Sequence, residues 1–560
     1  MRLVMCVVMM AGVFALPVQA KDAVPPTREQ VAQYADNLLA DNYAADGPGA
    51  AVLVARGDQV LYRGARGMAS IELGVPLSVD QEFRLGSITK QFAAAGLLKL
   101  VEAGKLSLDD PLSKFLPTYP NGNKITVREL LNHTSGVKNY TEISGRMGLP
   151  VRADLSTAQM VDTFKDQPAD FAPGEGWNYS NSGYVLVGAV IEKVTGEPWH
   201  VYLQKALFTP LGMSHTRFGD DHAIIPGMVH GYSMDSDKVV PSAYISMTQP
   251  HAAGSLVSTL DDLLRWNRAL HGGKVLSDAM YRQMTTPTGK AQDGHYGFGL
   301  ELQTLRGHPT IQHGGDIFGF SAALTWVPDA GLSVIVLHNS DSDPPGTSGP
   351  ERIAATLGAV ALGDPYPEVK PIPIDIDTLK SFQGVYRIDA KTTRVLRMHD
   401  GALTAQRTGG ERTPLVPIAV DEFAYPGTFS LMRIERDAKG AITGMRVFQG
   451  GEGLGDVAPL TTDPLPTERK AVALPRAALQ RVVGNYIGDG MAMRVFVDGD
   501  TLKTQMMGQS ALTLFAQSQD QFFVTEVDAT LEFAPASGAV TTMTLTQEGH
   551  RVVFKRGADQ

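Results

Sequence analysis

Apolar residues follow two periodicities through the first two thirds of the chain, and one of them, the alternation of a strand, dominates the last third. Residues 50–54 and 59–62 flank Arg56-Gly57-Asp58 and predict a β-hairpin. Residues 87–103, closed by Gly104, predict a buried helix, and residues 184–194, closed at Gly196, predict another. Residues 322–326 and 332–337 are apolar strands joined by Pro328-Asp329-Ala330-Gly331. Strands at both ends with helices between them predict an α+β domain whose first and last strands share one sheet.

The last third repeats itself. Leu379, Gly384 and Tyr386 return as Leu479, Gly484 and Tyr486, and Arg394-Val395 returns as Arg494-Val495. Asp421-Glu422-Phe423 is echoed by Asp520-Gln521-Phe522. Alternating stretches at 542–546 and 550–554 predict half-buried strands, so each copy is expected to be a small antiparallel β-barrel. Proline-rich stretches at 363–373 and 461–475 mark the boundaries. The expected layout is a leader over 1–20, a catalytic block over 21–365, and β-barrels over 378–461 and 476–560.

Composition narrows the function classes. Hydrophobic residues make up 43% and charged residues 19%, which suits large cores and argues against disorder. A net charge of −10 with no basic run argues against a nucleic-acid partner. Met1-Arg2, an apolar stretch over 3–16 and Val18-Gln19-Ala20 match a cleavable secretory signal, implying a periplasmic or secreted protein with no integral membrane span after cleavage. The only cysteine, Cys6, falls in that leader, so thiol catalysis and cysteine-ligated zinc are not expected. The 13 histidines show no metal-binding spacing, and no phosphate-binding loop is found; no cofactor or metal is expected.

Three short elements carry chemistry. Ser87-Ile88-Thr89-Lys90 opens the first predicted helix and sets an amine one turn from a hydroxyl, where burial can keep that amine neutral enough to take a proton. Tyr179-Ser180-Asn181 follows a Pro-Gly loop, offering a phenol to shuttle a proton and a carboxamide to orient substrate. His313-Gly314-Gly315-Asp316 precedes an apolar strand, and its glycines permit close backbone approach to a ligand. The N–H groups of Ser87 and Asp316 are then candidates for an oxyanion hole. Each element alone also has an ordinary structural reading: a serine cap before an exposed lysine, a packed tyrosine beside an asparagine cap, a glycine turn with a satisfied histidine.

Together and in this order, the three elements resemble the Ser-x-x-Lys, Tyr-x-Asn and Lys/His-x-Gly signatures of the serine β-lactamase and penicillin-binding-protein superfamily, in particular its class C-like group. Leu131-Asn132-His133-Thr134-Ser135-Gly136, Pro210-Leu211-Gly212-Met213 and Ser258-Thr259 support the likeness over residues 30–360. The paired C-terminal repeat is similar to the barrel domains of some D-aminopeptidases. The resemblance implies a β-lactamase/DD-peptidase-like domain, an antiparallel sheet flanked by helices plus a helical region. It implies Ser87 as acylated nucleophile, Lys90 and Tyr179 as general base and acid, and Asn181, His313, Gly314, Gly315 and Asp316 as substrate-binding positions. His313 stands where many relatives carry lysine, and Asp316 adds a negative charge where many carry a small hydroxyl residue. A neutral imidazole attracts a substrate carboxylate less than lysine does, and the Asp316 charge disfavours an anionic group and favours a cationic one such as a free amine. The expected activity is hydrolysis of peptides or amides with D- or unusual residues, as in D-aminopeptidases or hydrolases of linear non-ribosomal peptides. An esterase, a β-lactamase or DD-carboxypeptidase, or a slowly deacylating penicillin-binding receptor are the alternatives.

Overall fold

A computed structural model of the chain describes residues 25–143, 145–235, 238–342, 347–451, 453–467, 469–488, 491–506, 511–525, 527–547 and 550–557. The leader assigned to 1–20, with Cys6, lies outside the described residues.

After helix α1 (Arg28–Asn42), strands β1 (Ala50–Arg56) and β2 (Gln59–Arg66) form the hairpin expected from their apolar runs. Helices α2 (Thr89–Glu102) and α3 (Asn181–Thr195) follow, then strands β3 (Glu301–Leu305), β4 (His308–Ile317), β5 (Phe320–Val327) and β6 (Leu332–His338), and helix α4 (Pro350–Leu362). The six strands make one antiparallel sheet in the order β3-β4-β5-β6-β1-β2, so the first strand does pair with the last.

The alternation along the central strands splits the core in two. Ala50, Val52, Val54, Val334 and Val336 face α1 and α4, packing on Val31, Ala35, Ile353 and Leu357. Ala51, Leu53, Ile335 and Leu337 face the other way, onto Phe92, Leu97, Val185 and Trp266 of a large helical layer. Both faces of β1 and β6 are therefore apolar, which is why these strands read as unbroken hydrophobic runs.

The first predicted helix differs at its start. Residues Gly86–Ile88 form a 3₁₀ turn and the α-helix begins at Thr89. The cause is local: Gly86 takes a φ of 51°, which lets the turn press against β4, where a Cβ would lie 2.7 Å from the Asp316 backbone nitrogen. Helix α3 starts at Asn181, capped by the Ser180 hydroxyl accepting from Gly183 N–H, and ends at left-handed Gly196.

Beyond α4 the chain is built of antiparallel strands around two separate cores. The first centres on Phe382, Tyr386, Leu403 and Phe423; the second on Tyr486, Leu502, Phe522 and Phe554. In the first, a four-stranded and a five-stranded sheet meet through a bridge between Tyr386 and Leu460. In the second, nine strands form one sheet whose two end strands are Leu512–Thr513 and Phe515–Ala516, separated in the chain by Leu514 alone, a nearly closed barrel. The repeat is also physical: Tyr386 donates to the Phe382 carbonyl and Tyr486 to the Val482 carbonyl, both at 2.7 Å.

Candidate active site

The 3₁₀ turn, the N-terminus of α2, the loop before α3 and strand β4 converge on one point. Lys90 is fully buried, and its Nζ lies 2.9 Å from Ser87 Oγ, 2.8 Å from Asn181 Oδ1 and 2.9 Å from the Ala253 carbonyl oxygen. Burial holds its pKa well below the ordinary lysine range, and the nearby Glu301 carboxylate only partly opposes this. Asn181 Oδ1 and the Ala253 oxygen can only accept, so they use both hydrogens of a neutral amine. The lone pair is then left facing the Ser87 hydroxyl.

The Tyr179 ring lies over Lys90 Nζ at 4.7 Å from its centroid. Burial raises the phenol pKa and the Ser87 hydroxyl pulls it back in part, so Tyr179 is a neutral O–H donor at pH 7. Asn181 is steadied by Asn139, whose Oδ1 accepts from its backbone N–H at 3.2 Å and from its Nδ2 at 3.4 Å.

His313 is buried beside the Tyr-x-Asn loop. Its ring is 3% exposed, and Nδ1 lies 2.6 Å from the Gly314 carbonyl and Nε2 2.8 Å from Tyr296 Oη. A carbonyl only accepts, so Nδ1 carries the proton and Nε2 accepts from the tyrosine. Burial lowers its pKa to about 3, and it stays neutral. The ring sits 6.2 Å from the Tyr179 ring, on the face of β4 that meets the helical layer, while the neighbouring Gly314 faces Glu351 of α4. It backs Tyr179 from that side. Gly314 and Gly315 likewise make room for neighbours: a Cβ at Gly314 would strike the Glu351 carboxylate and one at Gly315 the Leu85 carbonyl.

Ser87, Asn181 and Asp316 do meet, lining a cavity of about 280 Å³. Its remaining wall is largely apolar: Tyr140 and Met147 from one irregular segment, Ile245 from another, Ile317 and Phe318 from the end of β4. Four groups around the site were not among the candidate site residues, although His133 belongs to the Leu131–Gly136 element that supports the family likeness. The Ala253 carbonyl is invisible to any residue-type pattern. His133 accepts the Ser180 N–H at 3.1 Å and packs, tilted, with its ring centroid 4.4 Å from that of Tyr179, fixing the Tyr-x-Asn loop. Tyr296 anchors His313. Glu301 is half-buried, and burial together with Glu351 raises its pKa to about 7. Among the described residues no group of three or more acidic, histidine or cysteine side chains is arranged to hold a metal ion.

The Beta-lactamase family profile matches residues 31–358, more than half of the 560 residues. The chain belongs to the Beta-lactamase family. Within this family it is a serine hydrolase, and a second profile, Domain of unknown function (DUF3471), matches residues 468–556. Similar family members include the putative penicillin-binding protein PbpX of Bacillus subtilis (strain 168), 30% identical over 50% of this chain and 69% of that protein. A D-aminopeptidase of Gluconobacter oxydans (strain 621H) is 28% identical over 57% of this chain and 60% of its own length. Among solved structures, a D-stereospecific amidohydrolase from Streptomyces sp. superposes with a TM-score of 0.51 at 31% identity, covering 59% of this chain and 97% of that one.

Proposed function

We propose that this serine hydrolase cleaves the amide bond that follows a D-configured residue with a free amino group and a large apolar side chain. The observation that carries the chemistry is the double use of the buried Lys90 amine by Asn181 and Ala253, which aims its lone pair at Ser87. In this reading Lys90 takes the Ser87 proton as Oγ attacks the carbonyl carbon. The N–H groups of Ser87 and Asp316 hold the resulting oxyanion, and Tyr179 protonates the leaving amine while the proton on Lys90 replaces the one it gives. Water then attacks the ester along the reverse proton path and releases the acid.

Substrate preference follows from the cleft. Tyr140, Met147, Ile245 and Phe318 suit an apolar side chain, while Asp316 and Asp341 on the same wall favour a cationic amine over a carboxylate. D-configuration is supported by the D-aminopeptidase and the D-stereospecific amidohydrolase among the similar proteins. Action outside the cytoplasm is supported by the leader pattern over 1–20, and among the described residues no helix is long and apolar enough to cross a membrane.

The test is hydrolysis of D-phenylalanine p-nitroanilide beside its L-enantiomer and its N-acetyl derivative, with Ser87→Ala as background. Turnover that depends on Ser87, the free amine and the D-centre is the expected result. Turnover of the acetylated compound alone would move the reading to endopeptidase or esterase substrates.

A further inference from the structure

A cavity of about 310 Å³ lies on the α4 side of the sheet, where β3, β4 and β5 meet the first C-terminal β-structure. Strand alternation puts Gln312 and Gly314 of β4, and Thr325 of β5, on this face. Polar side chains there interrupt a face that is otherwise apolar, at Ala323, Val334 and Val336. Glu351 and Arg352, from the first turn of α4, form one side of the cavity. Tyr366, from the segment after α4, and Phe429, from a turn of the first β-structure, form another. Their rings are stacked with centroids 3.7 Å apart.

Glu351 and Arg352 carry opposite charges that do not meet. Successive helix positions do not face each other, and among the described residues neither side chain has a hydrogen-bond or ion-pair partner. The Glu351 carboxylate is set against the backbone of β4, where a Cβ on Gly314 would strike it. Water lost around the carboxylate raises its pKa, and the Asp316 charge adds to this. The Arg352 guanidinium lies over the Phe429 ring, 5.0 Å from its centroid, which steadies the group but gives its N–H groups no oxygen acceptor. Water lost around it lowers its pKa. A carboxylate and a guanidinium that lose water on the wall of one cavity, each without a partner, are costly to keep unless an occupant pairs with both.

We propose that this cavity binds a free α-amino acid as its zwitterion, with the ammonium on Glu351, the carboxylate on Arg352 and the side chain against Phe429 and Tyr366. A guanidinium fork takes a carboxylate in two-point fashion. The carboxylates of Glu301 and Asp316, on the sheet side, strengthen the negative field at the Glu351 end. The volume lies at the lower end of small-ligand pockets, about 300–1,000 Å³. The occupant sits against the back of β4, at Gly314, two positions before Asp316. Neither the cleft at Ser87 nor its substrate enters this inference.

The experiment is calorimetric titration of the full chain with D- and L-phenylalanine and with two analogues that each lack one charge. Phenethylamine has no carboxylate and hydrocinnamate no amine. A saturable site that takes phenylalanine about tenfold or more tightly than either analogue is expected, and either enantiomer supports the proposal. Arg352→Gln should weaken phenylalanine about tenfold and leave it no better than phenethylamine. Glu351→Gln should leave it no better than hydrocinnamate. Phe318→Ala, in the wall of the Ser87 cleft, should leave this site unchanged. No saturable binding, or equal binding by Arg352→Gln, overturns the proposal. So does a site lost in Phe318→Ala and kept in Arg352→Gln, which assigns the amino acid to the Ser87 cleft. Circular dichroism checks that Arg352→Gln is folded. If it is not, Glu351→Gln, which keeps the side-chain shape, must by itself remove the preference for phenylalanine over hydrocinnamate.

Discussion

Lys90 Nζ donates to Asn181 Oδ1 at 2.8 Å, and this bond decides where the amine's remaining valence points. Asn181→Asp keeps the shape but adds a charge that favours the ammonium form of Lys90. The acid limb of the kcat/KM profile against pH should move up by about one unit or more. An unmoved limb would mean that Lys90 is not the group titrating.

Glu301 acts on the same amine from the other side. Its carboxylate raises the Lys90 pKa, and it titrates near pH 7 itself, at about 7. Glu301→Gln removes the charge, so Lys90 loses its proton at lower pH and the acid limb should shift down. The sign is opposite to that of Asn181→Asp, and measuring both variants in one set of buffers separates an electrostatic effect from a general loss of fit.

Gly315 leaves no room for a side chain against the Leu85 carbonyl. Gly315→Ala must push β4 away from the 3₁₀ turn, which separates the Ser87 and Asp316 N–H groups. Steady-state kinetics should show kcat lowered about 10²- to 10³-fold, the usual cost of losing an oxyanion donor. A change confined to KM would place the oxyanion elsewhere.

The Tyr296 to His313 bond, at 2.8 Å, is buried. Tyr296→Phe strands an imidazole acceptor and should lower unfolding free energy by about 1–3 kcal/mol in urea titrations. A neutral result would show that His313 finds another donor.

Much of this was legible in the chain. The strand and helix periods gave the sheet and its closure of first strand on last, because buried central strands must be apolar on both faces. Ser87, Lys90, Tyr179, Asn181 and Asp316 stood out because their spacing is local and their side chains carry the chemistry. What stayed hidden depends on irregular backbone: the Ala253 carbonyl, and Tyr140, Met147 and Ile245, which face the cleft only after two unpatterned segments fold over it. The Tyr296 partner of His313 was hidden for a related reason, since it comes from the irregular segment ahead of β3.

Stability should follow the buried histidines. His251, His271, His313 and His338 are each held neutral by burial, with pKa lowered to about 3. A depressed folded-state pKa means that the unfolded chain binds more protons below its own value near 6.5. Their contribution is therefore complete above that pH and falls as the pH drops toward 3. At pH 5 each costs on the order of 2 kcal/mol. Glu301, raised to about 7, works the other way, stabilising at low pH and losing that contribution as pH rises through 7. His133 and His200 are lowered by burial as well, against the raised carboxyls Glu82, Glu301 and Glu351, so the urea midpoint should be clearly lower at pH 5 than at pH 7.5; an equal or higher midpoint at pH 5 would contradict the buried neutral state.

The most direct measurement is covalent. Rapid acid quench of the protein with excess D-phenylalanine p-nitroanilide, followed by intact-mass and peptide-mapping mass spectrometry, reports the acylated residue. The expected result is one D-phenylalanyl increment on the peptide containing Ser87, absent in Ser87→Ala together with turnover. An increment on another residue, or undiminished turnover by Ser87→Ala, would contradict the account.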